Sequence, residues 1–127
     1  MAEDRKKIVI IEDEPDTVEM FAEMMRLNGF KVLKSYGGAL AVALIAEEKP
    51  DVVVLDMMMP DLPGLDVMSQ IRDNPELANI PVIIVSAMSM PQDIQAGMDA
   101  GAAAYLTKPV TYQQLSMAVE KTLQAAG

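Results

Sequence analysis

The sequence predicts an α/β fold in which a parallel sheet of five strands is covered by helices on both faces. Five short apolar segments alternate along the chain with five segments of helical periodicity. The first, third and fourth apolar segments are nearly continuous runs of Val, Ile and Leu, which is typical of parallel strands buried on both faces. Strict alternation of strand and helix then gives crossover connections over the sheet.

The strands and helices follow in order along the chain. The predicted strands are Lys7–Ile11, Lys31–Ser35, Val52–Leu55, Val82–Val85 and Ala104–Leu106. The first helix begins near Pro15, because proline suits the first helical position, and Asn28-Gly29 ends it with a left-handed cap. Pro50 ends the second helix. The later helices are predicted at about Gly38–Lys49, Gly64–Asp73, Pro91–Gly101 and Val110–Gln124.

Length and composition limit what the chain is. With 127 residues, half of them apolar, we expect a single globular domain over 1–127 with its core at about 7–125. No apolar run approaches the roughly 18 residues that a membrane span needs, and the N-terminus lacks a signal-peptide pattern. We therefore expect a cytoplasmic protein without membrane contact.

Cys and His are both missing, and the charge is strongly negative. The absence of Cys and His excludes disulfides, thiolate or imidazole metal sites and histidine-dependent triads, so any metal would be a hard cation held by oxygen atoms. The net charge of −9, from 10 cationic and 19 acidic residues, argues against direct nucleic-acid binding.

Polar residues follow the predicted strands where each one ends. Glu12 and Asp13 follow the first strand, Asp56 the third, Ser86 the fourth, and Thr107-Lys108 the fifth. Sites in open α/β sheets form at the carboxyl ends of the strands, so these side chains are expected to meet at one sheet edge.

The expected group has a restricted chemistry. Three neighbouring carboxylates repel one another, and a bound Mg²⁺ or Mn²⁺ would offset that repulsion. A carboxylate can attack phosphorus to form an aspartyl phosphate, and Lys108 would neutralise charge on the transferred group. Ser86 would donate a hydrogen bond to the same group.

The motifs resemble those of the receiver domain of two-component response regulators over essentially the whole chain. The matching segments, in the family's order and spacing, are IVIIEDEP (Ile8–Pro15), VVVLDMMMPDLPGLD (Val52–Asp66), VIIVSA (Val82–Ala87) and GAAAYLTKPV (Gly101–Val110). The resemblance implies a doubly wound, flavodoxin-like sheet of strand order 2-1-3-4-5 with five helices.

The resemblance also implies a role for each matching residue. Asp56 is the expected phosphoacceptor, Asp13 a direct Mg²⁺ ligand, and Glu12 a ligand acting mainly through water. The backbone carbonyl of Met58 would complete the metal ligands of the protein. Lys108 is the expected phosphate-contacting lysine, and Pro109 is expected to follow a cis peptide bond. Ser86 is the expected switch hydroxyl and Tyr105 the expected switch aromatic.

The implied function is a phosphorylation switch. A sensor histidine kinase or phosphotransfer protein would donate the phosphoryl group, and the face formed by the fourth helix, fifth strand and fifth helix would change shape to control an effector. The chain would promote its own phosphotransfer and autodephosphorylation and turn over no separate substrate. We expect a monomer or a phosphorylation-dependent dimer.

Four positions distinguish this chain within the family pattern. Glu12 stands where Asp is commoner, and Ser86 where many members have Thr. Met58 and Met88 follow Asp56 and Ser86 by two places, where the family tunes hydrolysis of the acyl phosphate. Apolar side chains there cannot orient an attacking water, which predicts slow autodephosphorylation; the alternative is that both are ordinary surface residues.

The rival hypothesis is a docking module with the same fold that no longer switches. The presence of Asp13, Asp56, Ser86 and Lys108 disfavours it. A dinucleotide site and a P-loop are unsupported because the sequence contains neither glycine-rich motif. A phosphatase of the haloacid-dehalogenase type would place a second Asp where this chain has Met58.

Overall fold

The computed structural model describes residues 5–126 and contains five strands alternating with five helices. Residues 1–4 and 127, which the predicted domain span includes, lie outside the described residues. The strands are β1 (Lys7–Ile11), β2 (Lys31–Ser35), β3 (Val52–Leu55), β4 (Val82–Ser86) and β5 (Ala104–Thr107). The helices are α1 (Pro15–Leu27), α2 (Ala41–Glu48), α3 (Gly64–Asp73), α4 (Pro91–Asp99) and α5 (Tyr112–Ala126).

All strands are parallel, and the sheet order is β2-β1-β3-β4-β5. The predicted doubly wound sheet, and the order implied by the resemblance, are therefore confirmed. The order reverses between β1 and β3, so the carboxyl ends of these two central strands face a crevice where the crossovers diverge. Ile11 and Leu55 are aligned across this pair, which places the residues that follow them side by side.

The core forms two apolar layers, one on each face of the sheet. Strand side chains alternate between the layers, because successive residues of a strand point to opposite faces. One layer includes Val9, Val53, Ile84 and residues of α2 and α3; the other includes Ile8, Val54, Ile83 and residues of α1 and α5. Four residues at helical spacing form the buried apolar stripe of α1: Val18, Phe21, Ala22 and Met25.

Three helices differ from the prediction at their ends. The second helix begins at Ala41 rather than Gly38, and the fourth ends at Asp99 rather than Gly101, which has a φ of 105°. The fifth begins at Tyr112, two residues after the predicted start, and extends to Ala126.

A capping box explains the later start of α5. The Thr111 hydroxyl accepts the N–H of Gln114 at 3.1 Å, and the Gln114 side chain accepts the N–H of Thr111 at 2.9 Å. This reciprocal pair satisfies two N–H groups at the helix entry, so it fixes where the helix begins. None of the helices within residues 5–126 is both long and apolar enough to cross a membrane.

Candidate functional site

Three carboxylates meet at the carboxyl edge of the sheet. Glu12 and Asp13 follow β1, and Asp56 follows β3; one carboxylate oxygen from each lies within 4.8 Å of the others. Backbone hydrogen bonds extend the sheet to this point, since the Asp56 N–H donates to the Ile11 carbonyl at 2.9 Å. Glu12 and Asp56 are buried, with exposed fractions of 2% and 5%, whereas Asp13 is half-buried.

Lys108 is the cation of this group. Its Nζ lies 2.5 Å from Glu12 Oε1 and 3.7 Å from Asp56 Oδ1. The Lys108 N–H donates to the Ser86 carbonyl at 2.8 Å, which continues the pairing of β4 and β5 beyond the last strand residue. The peptide bond between Lys108 and Pro109 is cis.

The environment raises the pKa of Asp56 to about 6. Burial is the main cause, because it disfavours the charged carboxylate, and the nearby negative charge of Glu12 adds to it. Lys108 and the N–H of Met58 act in the opposite direction. Additional positive charge near Asp56 would therefore stabilise its ionised form.

The two acidic residues after β1 are shifted in opposite directions. Burial alone would raise the pKa of Glu12, but hydrogen bonds from Lys108 and from the N–H of Glu14 outweigh it and hold the pKa below its usual value. Burial and the neighbouring Glu12 raise the pKa of Asp13. Proton affinity in this group thus concentrates on Asp13 and Asp56.

The donor set fits Mg²⁺ or Mn²⁺. All three candidate ligands are carboxylates close enough for one ion to contact, and these hard cations prefer oxygen. The raised pKa values of Asp13 and Asp56 agree with this, because a bound cation would offset both of their causes, burial first and the neighbouring Glu12 second.

The other predicted site residues lie on the β4–β5 side. Ser86 is fully buried as the last residue of β4, and its Oγ accepts the N–H of Met88 at 3.1 Å. The Tyr105 hydroxyl donates to the Met88 carbonyl at 2.7 Å. The structure thus links Ser86, Met88 and Tyr105 through one short segment.

Met58, two residues after Asp56, is 56% exposed.

Close backbone packing holds the loop that follows Asp56. A Cβ placed on Gly64, at the start of α3, would lie 2.7 Å from both the Asp56 carbonyl oxygen and Met57 Cα. Only glycine allows this approach without a backbone shift. The Gly64 N–H also donates to the Met57 carbonyl at 3.0 Å, so α3 begins directly against the candidate phosphoacceptor segment.

Asp61, which sequence reasoning did not select, secures the far end of the same loop. Its carboxylate accepts the N–H groups of Gly38, Ala39 and Leu62 at 3.1, 2.9 and 2.9 Å. These bonds, that of Ala39 first, hold the pKa of Asp61 below its usual value. They tie the β3–α3 loop to the β2–α2 loop, a long-range contact for which the local sequence contains no signal.

A family model for the response regulator receiver domain matches residues 8–120. The chain belongs to the response regulator receiver domain family. The resemblance seen in the sequence motifs is therefore confirmed, and this receiver domain is a component of two-component signalling.

The receiver domain is similar to two curated relatives and to one solved structure. It is 38% identical over 117 residues to Protein PilH of Pseudomonas aeruginosa, covering 92% of this chain and 97% of PilH. It is 35% identical over 121 residues to the probable transcriptional regulatory protein TcrX of Mycobacterium tuberculosis, covering 94% of this chain but 50% of TcrX. The receiver domain of the Francisella response regulator 1452 superposes with a TM-score of 0.89 at 28% identity, covering 97% of this chain and 100% of that chain.

Proposed function

We propose that this receiver domain is switched by phosphorylation of Asp56. The observation that carries the proposal is the position of that carboxylate, buried at the end of β3 with two further carboxylates within 4.8 Å and Lys108 Nζ at 3.7 Å. A buried carboxylate among acids is costly for stability, and a phosphoryl-transfer site gives it a chemical use.

The phosphodonor is a phosphohistidine on a sensor histidine kinase or phosphotransfer protein. An oxygen of Asp56 attacks the phosphorus, the P–N bond breaks, and its electron pair remains on the imidazole. Bound Mg²⁺ supplies positive charge to the phosphoryl oxygens and to the carboxylates. Asp13, Asp56 and the Met58 carbonyl would hold the ion, with Glu12 acting through water.

Lys108 and Ser86 then act on the phosphoryl group. The phosphoryl group would be attached to Asp56, whose carboxylate is already near the Lys108 ammonium. Lys108 would then exchange part of its contact with Glu12 for a contact with a phosphoryl oxygen. Ser86 turns its hydroxyl toward the same group, and Tyr105 fills the space beside it. The face formed by α4, β5 and α5 changes shape in consequence and controls a downstream protein, a local charge event biasing a two-state element.

A groove beside the site suits the approach of a protein phosphodonor. Its volume is about 420 Å³, and it lies between α1 and the segment that joins β5 to α5. Its lining is mainly apolar and includes Lys108: Thr17, Met20, Phe21, Lys108, Pro109 and Val110. A docked partner would thus have its phosphoryl group next to the lysine.

The test is covalent modification of the purified chain. Acetyl phosphate with Mg²⁺ should add one phosphoryl group by mass, and Asp56→Asn should abolish the addition. Asp66→Asn, at an exposed position in the first turn of α3, is the matched control and should react as wild type does. Absence of both adduct and Mg²⁺ binding in the wild type would favour the non-switching docking module instead.

A further inference from the structure

Gly97 is a buried glycine in the second half of α4. Glycine weakens a helix because it has the most backbone freedom to lose, so a buried helical glycine calls for a reason in the packing around it. The neighbouring helical residues Gln95 and Ala96 are exposed, so Gly97 marks the point where α4 meets the sheet.

The space at Gly97 is occupied by the ring of Tyr105. A Cβ on Gly97 would lie 2.9 Å from Cδ2 and 3.1 Å from Cε2 of that ring, and 2.9 Å from Cδ1 of Ile84. The Ile84 atom is the end of a flexible side chain and can move aside. The ring atoms belong to a rigid group, so the ring would have to shift as a whole.

The ring position at Gly97 fixes the hydroxyl at the other end of the tyrosine. Tyr105 stands beside Ile84 in the β4–β5 register, and its hydroxyl donates to the Met88 carbonyl at 2.7 Å. The Met88 N–H in turn donates to Ser86 Oγ at 3.1 Å. A continuous set of contacts therefore runs from α4 through Tyr105 and Met88 to the buried hydroxyl of Ser86 at the end of β4.

We propose that Gly97 is a positioning residue that admits the Tyr105 ring to an inward position, packed against residue 97 with its hydroxyl on the Met88 carbonyl, so that the unphosphorylated chain is already biased toward the signalling conformation. This inference rests on the proposed function for the meaning of the inward position. It goes beyond that function by attributing the bias of the unphosphorylated chain to the absence of a side chain at residue 97. A side chain there would move the equilibrium toward an outward ring.

The first measurement concerns the unphosphorylated chain and needs no phosphoryl chemistry. Nuclear Overhauser contacts between the Tyr105 ring protons and the Gly97 α-protons should be present in the wild type and in Tyr105→Phe. Gly97→Ala should abolish the contacts from the ring to residue 97 and to Met88, whereas the exposed control Ala96→Gly should retain them. Absence of the contacts in the wild type, or their persistence to Met88 in Gly97→Ala, would overturn the inference.

The second measurement asks whether the ring position is coupled to the site. The apparent affinity for beryllofluoride with Mg²⁺ should fall by about fivefold or more in Gly97→Ala, because a smaller fraction of the chain is competent to bind. In a Tyr105→Ala background, the same substitution should change the affinity by less than about twofold, since the coupled partner is gone. Equal losses in both backgrounds would show that Gly97 only fits α4 against the sheet, and would overturn the coupling.

Failure of the proposed function has a different signature. The wild type would then form neither an acetyl phosphate adduct nor a beryllofluoride complex. The nuclear Overhauser contacts alone would in that case decide whether Gly97 positions Tyr105.

Discussion

Lys108 Nζ lies closer to Glu12 than to Asp56, at 2.5 Å against 3.7 Å. The Glu12 side chain is 3% exposed and that of Lys108 26%, so the pair is largely shielded from water. Glu12 therefore has two effects on Asp56. It adds a negative charge that raises the pKa of Asp56, and it holds the lysine away from Asp56.

Replacing Glu12 with Gln should lower the pKa of Asp56. The substitution removes the neighbouring charge and frees Lys108 to approach Asp56, and both changes favour the carboxylate. We expect a fall of about one unit from the value of about 6, within the range that a nearby charge produces. Carbon-13 NMR titration of the Asp56 carboxyl measures it. Glu14→Gln, at an exposed neighbouring position, is the control; an unchanged Asp56 pKa in Glu12→Gln would contradict the prediction.

Replacing Asp56 with Asn should stabilise the metal-free chain at neutral pH. Because the folded pKa is raised from 3.8 to about 6, folded Asp56 holds its proton more tightly than unfolded Asp56. Its contribution to stability is thus greatest below about pH 4 and is lost as pH rises through about 6. The ionised carboxylate then costs up to about 3 kcal/mol, since one pKa unit is about 1.4 kcal/mol.

Thermal unfolding at two pH values tests this. The gain in Tm of Asp56→Asn over wild type should be several degrees at pH 7.5 and should shrink toward pH 4.5. Mg²⁺ should reduce the gain at pH 7.5, because it would stabilise the wild-type site by binding the folded state. A gain independent of pH would mean that the charge of Asp56 is not its source.

Arg72, in the last turn of α3, should be a major stabilising residue. Its guanidinium donates to the carbonyls of Ala78 and Ile80 at 3.1 and 3.0 Å and to that of Gly101 at 2.8 Å. Burial lowers the pKa of Arg72, which shows that the charge is held partly out of water. Arg72→Ala should cost about 2–3 kcal/mol, because it leaves three carbonyls without this donor.

Urea denaturation measures that loss. Arg72→Lys should recover only part of it, since one ammonium cannot reproduce the planar fork of donors. Arg26→Ala is the control: its pair with Glu23 is exposed, with a 3.4 Å separation, and should contribute less than about 1 kcal/mol. Comparable losses in Arg72→Ala and Arg26→Ala would refute the assigned role.

Met58 and Met88 should slow loss of the phosphoryl group. Met58 is exposed beside Asp56, and Met88 is partly buried against the core. Neither thioether can position a hydrolytic water as a carboxylate or amide does. Met58→Asn and Met88→Glu should each increase the rate of autodephosphorylation. The double variant should increase it by about tenfold or more, which is less than the rate increase that a positioned general base typically contributes. Phosphate release after removal of acetyl phosphate gives the rate, and Met117→Gln, at an exposed position, serves as the control. An unchanged rate in the double variant would mean that both residues are ordinary surface residues.

Local sequence was sufficient for the strands, to within one residue at the ends of β4 and β5, and for the edge at which the three carboxylates meet. Runs such as Val52–Leu55 favour a strand buried on both faces, and the residues that follow parallel strands of this kind meet at one edge. The helix starts were harder. Thr111 and Gln114 form a capping box that the T-Y-Q-Q sequence encodes, so the start of α5 was available from sequence reasoning and was missed.

Other features depend on contacts between residues far apart in sequence. The second helix begins at Ala41 because the N–H groups of Gly38 and Ala39 bind Asp61, more than 20 residues away. The pairing of Lys108 with Glu12 likewise depends on which of two nearby carboxylates the ammonium reaches. Gly97 gave a local signal, an isolated glycine in a helical pattern, but its partner Tyr105 is defined only by the packing of α4 on β5.

The Asp61 contacts also bear on how the loops at the sheet edge respond to a load. They join the loops after β2 and β3, whereas the segment after β4 is held through Met88, whose carbonyl accepts from the Tyr105 hydroxyl of β5. We expect a load applied at Asp56 to meet more resistance on the α2 side, where two hydrogen bonds to Asp61 join the loops, than on the α4 side. On this expectation displacement is directed toward α4, whatever chemistry supplies the load.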